Sequence, residues 1–165
     1  MKKIIFIRHG KAEDESSEIS DFERSLTLKG KVISRLMACK LVEKEKSPGI
    51  ILSSPAFRAI ETALIFAGEY GISAENVFMN SSIYYKMSLQ NLPAILSGIN
   101  EDAEAVTLFG HNPSFSHIAN SLSKEGCDLI PKSGVVSITF NIETWSDIVR
   151  KSGKIEYFLT PEKLL

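Results

Sequence analysis

The sequence predicts an α/β sandwich built on a largely parallel sheet. Three observations lead there. Short apolar runs rich in β-branched residues end abruptly at polar or glycine-containing turns, and segments of helical periodicity follow most of them. The composition, 44% hydrophobic and 24% charged over 165 residues, is that of a globular chain and excludes a disordered, collagenous or disulfide-scaffold protein. Size scaling then gives a folded surface of roughly 8,100 Å², with about 69% of the extended chain's surface buried. One core suffices, so a single domain over residues 1–165 is expected.

Ile4 to Ile7 is a continuous apolar run, the pattern of a strand covered on both faces, and it ends in Arg8-His9-Gly10. Glu13 to Ser20 is polar and acidic and reads as surface loop. Thr27 caps a helix whose apolar positions are Val32, Ile33, Leu36, Met37, Leu41 and Val42, with Gly30 a cost in its first turn. Ser47-Pro48-Gly49 stops that helix, and Ile50 to Leu52 is a second buried strand. Ser54 as N-cap and Pro55 at the first helical position open the next helix, which runs to Gly68 or Gly71. A further helix is expected over Leu89 to Leu96, and a third strand over Ala105 to Phe109, ending in Gly110-His111. Asn112 and Pro113 start a helix carrying Phe115, Ile118, Ala119 and Leu122. Val135 to Phe140 and Ile155 to Leu159 are strands of alternating type, with Ser152-Gly153 as the turn between them.

Nineteen basic residues against twenty acidic ones leave a formal charge of −1, which argues against a nucleic-acid partner. No stretch has the length of a membrane span, and the apolar run after Met1-Lys2-Lys3 is too short for the core of a signal peptide. Cys39 and Cys127 have no companion ligand spacing, so reduced thiols and a cytoplasmic location are expected.

The residues with chemical promise gather at strand ends. Two strands finish in a histidine, His9 and His111, and in open α/β sheets ligands bind beyond the carboxyl ends of the strands. Ser53-Ser54 leaves the second strand at the same edge, with Arg58 following in the first helical turn. Arg8, Arg58 and the two histidines thus form a small cationic pocket on a nearly neutral protein. Paired guanidinium hydrogen bonds suit such a pocket to a phosphate.

These motifs resemble the histidine phosphatase superfamily, and within it the small SixA-type phosphohistidine phosphatases. The resemblance rests on residues 7–12 (Ile-Arg-His-Gly-Lys-Ala), residues 21–30, Ser53-Ser54-Pro55 with Arg58 and Glu61-Thr62-Ala63, and Phe109-Gly110-His111-Asn112-Pro113. It implies a three-layer α/β/α sandwich of the phosphoglycerate mutase-like kind without a large helical cap, since the span from Arg58 to His111 leaves no room for one. It implies His9 as the nucleophile, forming a covalent phosphohistidine, with Arg8, Arg58 and His111 holding the transferred group. Asp21 and Arg24, in the loop before the first helix, match the SixA pattern. Arg24 is read as a supplementary phosphate contact, and Asp21 as an orienting group or weak proton donor.

No metal or other cofactor is implied, and the substrate would be a phosphohistidine-bearing protein, with no nucleic-acid or membrane partner. A histidine attacks only through an unprotonated nitrogen, so its other ring nitrogen should donate to a carbonyl or carboxylate. Glu61, three residues beyond Arg58, is expected to hold or neutralise that guanidinium. Tyr84 and Tyr85 are candidates for the pocket's border or for the core, and His117 for a packed or surface position. Three alternatives stay open: a phosphomonoesterase acting on small molecules, a phosphate-binding module without turnover, and a metal site from His9, His111 and His117.

Overall fold

The computed structural model describes residues 1–163, with an accessible surface of 8341 Å², close to the size-scaling value. Six strands form one sheet: β1 (Lys2–Arg8), β2 (Ile50–Ser53), β3 (Val77–Met79), β4 (Ala105–Gly110), β5 (Val135–Phe140) and β6 (Lys154–Leu159). Their spatial order is β3-β2-β4-β1-β5-β6. The first four run parallel, β5 is antiparallel to β1, and β6 is antiparallel to β5. The helices are α1 (Leu28–Lys44), α2 (Phe57–Glu69), the short α3 (Ser82–Tyr85) and α4 (Leu92–Leu96), and α5 (Ser114–Leu122).

The period-2 alternation of β1 builds both layers. Ile4 and Phe6 face a core completed by Leu92, Ile95, Phe115, Ile118 and Trp145 from α4, α5 and the β5–β6 connection. Ile5 and Ile7 face Met37 and Leu41 of α1 and Phe66 of α2. A three-layer α/β/α sandwich results, as expected. Each large core side chain contributes about 1.5–3 kcal/mol of burial free energy.

Several elements depart from the sequence reading, each for a physical reason. In α1, Val32 and Leu36 are exposed, and the buried face instead includes Gly30 and Ser34. That face packs on the loop after β1: an added Cβ at Gly30 would stand 2.1 Å from the carbonyl oxygen of Lys11. Gly30 therefore permits a close approach of backbones, and its propensity cost is secondary. Thr27 caps the helix as expected, its Oγ1 accepting from the Gly30 N–H at 3.0 Å.

Helix α2 starts at Phe57, later than Ser54-Pro55 suggested. Ser54 Oγ accepts from the Ala56 N–H at 3.2 Å, so it caps a turn ahead of the helix. Gly71, with φ +68°, takes the left-handed position just past its end. Helix α4 is confined to Leu92–Leu96, and Ser88 begins a preceding turn. Strand β3 and helix α3 were not expected, because three residues with exposed Phe78 and Met79 carry no legible period. The β5–β6 connection is a long excursion through a short 3₁₀ turn at Trp145–Asp147, with Ser152-Gly153 only at its end.

Gly30→Ala should destabilise the fold by about 1–3 kcal/mol through overpacking. Gly68→Ala, in α2 where an added Cβ meets nothing within 4 Å, should stabilise by about 0.5 kcal/mol. Urea denaturation of the two variants checks the pair, and equal effects would contradict the packing described.

Candidate active site

The site lies where β1 and β4 end side by side. Arg8 pairs with Gly110 in parallel register, and the His9 N–H donates to the Gly110 carbonyl at 3.0 Å. On the other side of β4, the Ser54 N–H donates to the Phe109 carbonyl at 2.9 Å. Three strand ends are thus level. The chain returns from β1 through α1 on one face and leaves β4 through α5 on the other, so the crevice is a topological switch point.

His9 is buried, and the rings of His9 and His111 stand 5.2 Å apart between centroids. Its two nitrogens are differentiated. Nδ1 lies 2.7 Å from the Gly10 carbonyl, which can only accept, so Nδ1 carries the hydrogen. Nε2 faces Nε of Arg58 at 3.3 Å, an obligate donor, so Nε2 presents its lone pair. This is the arrangement expected for an attacking imidazole. Burial, with Gly10 opposing and the charges of His111, Arg58 and Arg8 adding to it, lowers the His9 pKa to about 3. Burial, followed by the nearby Arg58, lowers that of His111 to about 4. Both rings are therefore neutral near pH 7.

Gly10 is held on every side. Its N–H donates to Thr62 Oγ1 at 3.0 Å, and Thr62 in turn donates to the Arg58 carbonyl at 2.7 Å. A Cβ at Gly10 would stand 2.5 Å from Ser34 Oγ, which is itself 2.9 Å from Ser133 Oγ. The Ser133 N–H points at the carbonyls of Arg8 and His9 at 3.1 and 3.2 Å. Thr62, Ser34 and Ser133 were missed by sequence reasoning. The only sequence hint was polar residues within helical or strand-flanking stretches.

Asp21 lies at the centre of the arginines. Arg58 donates to its carbonyl through Nη1 at 2.5 Å and to Oδ2 through Nη2 at 3.1 Å. Arg24 reaches Oδ1 at 3.0 Å, and the Tyr84 hydroxyl donates to Oδ2 at 2.7 Å. Burial raises the Asp21 pKa, but the hydrogen bonds from Tyr84, Arg24 and Arg58 outweigh it and hold the carboxyl at about 2. Of the two roles expected of Asp21, the geometry favours the orienting one: an ionised clamp on two guanidiniums. Glu61 also differs from expectation. Its carboxylate accepts from the Leu26 N–H at 2.6 Å and makes no ion pair with Arg58, anchoring the loop that carries Asp21 and Arg24.

Arg8 donates through Nη1 to the Ile130 carbonyl at 3.0 Å, and Asn112 Nδ2 reaches the same oxygen at 2.9 Å. His111 Nε2 lies 2.7 Å from Ser54 Oγ. Arg8 Nε and His111 Nδ1 are buried without a hydrogen-bond partner among the described residues, an arrangement costing about 1–3 kcal/mol per group. Together these side chains line a cleft of about 660 Å³, with Tyr84 and Tyr85 on its wall and Lys132 at its rim. His117 is exposed on α5 and lines a different depression. Among the described residues, no group of three or more His, Cys, Asp or Glu is gathered as a metal site, and no helix is long and apolar enough to cross a membrane.

No protein-family model matches the chain. An uncharacterized protein of Picosynechococcus sp. is 28% identical over 145 residues, covering 82% of this chain and 84% of that protein. A structure from Agrobacterium tumefaciens, assigned as phosphohistidine phosphatase SixA, superposes with a TM-score of 0.78 at 20% identity, covering 97% of this chain and 98% of that one. The protein histidine phosphatase SixA complexed with tungstate gives 0.77 at 21% identity, over 99% of both chains. A mycobacterial glucosyl-3-phosphoglycerate phosphatase bound to inorganic phosphate gives 0.65 at 13% identity, covering 95% of this chain and 96% of that one. The fold is the phosphoglycerate mutase-like α/β sandwich, and the described residues include no large helical cap.

Neutral burial of both histidines links stability to pH. Their folded pKa values lie below the unfolded value near 6.5, so the unfolded chain binds more protons below that point. Stability is fully present above about pH 6.5 and declines as pH falls towards 3–4. The urea midpoint should drop between pH 7 and pH 5, and drop less in a His9→Gln/His111→Gln double variant. An unchanged slope in that variant would refute the assignment.

Proposed function

We propose that this chain is a SixA-type member of the histidine phosphatase superfamily, removing phosphate from protein phosphohistidine through a covalent intermediate on His9. One observation carries the reading: the Nε2 lone pair of His9 is aimed at the guanidinium of Arg58, while Nδ1–H is tied to the Gly10 carbonyl. The fold shared with phosphatase structures supports it.

In the first half-reaction the Nε2 electron pair bonds to phosphorus as the bond from phosphorus to the substrate's imidazole nitrogen breaks. That nitrogen takes up a proton from solvent, because the cleft is open and Asp21, its single carboxylate among the described residues, stays ionised. In the second half-reaction a water oxygen attacks phosphorus and the bond to Nε2 breaks. Inorganic phosphate and free His9 result. The loose transition state puts its charge on the equatorial oxygens, which Arg8, Arg58 and His111 would bind, with Arg24 as an outer cation. A phosphoryl group also supplies an acceptor that the buried Arg8 Nε lacks.

As written, the chemistry calls for no metal or organic cofactor. An imidazole leaving group needs less acid assistance than an alkoxide, which fits a cleft whose one carboxyl is ionised. A cytoplasmic setting accords with the free cysteines Cys39 and Cys127.

Wild-type protein incubated with a phosphoramidate donor should acquire an acid-labile phosphate on His9, read by mass spectrometry after an alkaline quench. His9→Ala should remain unlabelled and inactive while folded, and Arg58→Ala should lose about 10²-fold or more in kcat/KM. Wild-type turnover by His9→Ala would eliminate the nucleophile assignment. Hydrolysis of sugar phosphates but not of a phosphohistidine protein would place the substrate among small molecules.

A further inference from the structure

Resting on that reading, we propose that Lys132 is a specificity-determining residue that engages a carboxylate flanking the phosphohistidine on the protein substrate. The position is built into the fold. The Gly134 N–H donates to the Pro131 carbonyl at 2.8 Å, closing a turn with Lys132 and Ser133 at its centre. Ser133 takes the left-handed conformation, with φ +61°, that the third position of a type II turn requires. A non-glycine residue holds that conformation only where its surroundings impose it, and here the carbonyls of Arg8 and His9 receive its N–H. The loop that presents the attacking histidine and the turn that presents Lys132 are therefore one hydrogen-bonded unit.

The side chain is left available. Lys132 is exposed, lines the rim of the cleft, and has no ion pair among the described residues. Charge balance shows what it is available for. Among the described residues, the cleft carries Arg8, Arg24, Arg58 and Lys132 against the one carboxylate of Asp21, and both histidines are neutral. Asp21 is already committed to Arg24 and Arg58. A phosphoryl group brings about −1.5 to −2 charges, which the three arginines with their clamp already answer. Lys132 is the surplus cation, exposed and outside the ion-paired network of Asp21, Arg24 and Arg58. An ammonium on a flexible stem serves as a point charge for a second, neighbouring anion. The uncapped cleft, open to its rim, lets a polypeptide place a side-chain carboxylate there.

The test compares two phosphohistidine peptides of equal length, one with Asp and Glu beside the phosphohistidine and the other with Asn and Gln at the same positions. The readout is the ratio of their kcat/KM values. Wild type should favour the acidic peptide by about three- to fivefold at low salt, the range of an exposed ion pair, and the ratio should fall towards one in 1 M salt. Lys132→Ala should bring the ratio near one and Lys132→Glu should invert it. A wild-type ratio of one, or a ratio that Lys132→Ala leaves unchanged, would overturn the proposal while leaving the phosphatase reading intact. A small phosphorylated carboxylic acid preferred over the acidic peptide would also overturn it, moving the carboxylate to a metabolite. If neither peptide is hydrolysed, the phosphatase reading fails. Calorimetric binding of the same peptides carrying a non-hydrolysable phosphonate then decides the role of Lys132 by the same ratio.

Discussion

The hydrogen bond from His9 Nδ1 to the carbonyl of Gly10 settles which imidazole nitrogen is free, and much of the surrounding structure serves to keep that carbonyl in place. Gly10 is gripped by Thr62 through its own N–H, walled by Ser34 and Ser133, and followed by a Lys11 carbonyl against which Gly30 lies without a side chain. Thr62 sits four residues beyond Arg58 on the same helix and donates to the Arg58 carbonyl. Movement of α2 would therefore shift the guanidinium and the support of His9 together. Ring tautomer and charge placement are coupled through one turn of helix.

A second tier of organisation holds the cations. Three guanidiniums close to one another repel, and their approach is made tolerable by the carboxylate of Asp21 between two of them and by the Ile130 carbonyl on the third. Glu61 contributes at one remove, since its bond to the Leu26 N–H fastens the loop bearing Asp21 and Arg24 to α2. Acidic residues in a phosphate site look counterproductive in a tally of charge. Here Asp21 fixes the direction in which Arg24 and Arg58 point, and direction decides whether a tetrahedral anion is bound by two hydrogen bonds or by none.

Much of this was legible in the sequence because strand ends are marked by strong local signals. The apolar run Ile4 to Ile7 and its sudden end at Arg8-His9 located the nucleophile candidate, and Gly110-His111 located its partner on the adjacent strand. The roles of Ser34, Thr62 and Ser133 were not legible, because each depends on contacts between residues distant in sequence. Val32 and Leu36 made the same point from the other side. Their helical spacing suggested a buried face, yet the face that packs is chosen by the shape of the loop after β1. Asp21 took the grip on Arg58 expected of Glu61, and Glu61 reached the Leu26 N–H instead, since helical spacing alone does not say which partner a long carboxylate reaches. Strand β3 was too short to declare itself.

The cleft's positive potential comes from guanidinium and ammonium groups, while its imidazoles, held neutral by burial, stay uncharged near pH 7. On the proposed reading, acidification from pH 8 to pH 6 would alter the guest more than the host: a phosphoryl group, with a second ionisation near pH 6, loses part of its own charge. Affinity changes across that interval would then be inherited from the anion, so that pH would tune such a cleft chiefly by changing what it is offered.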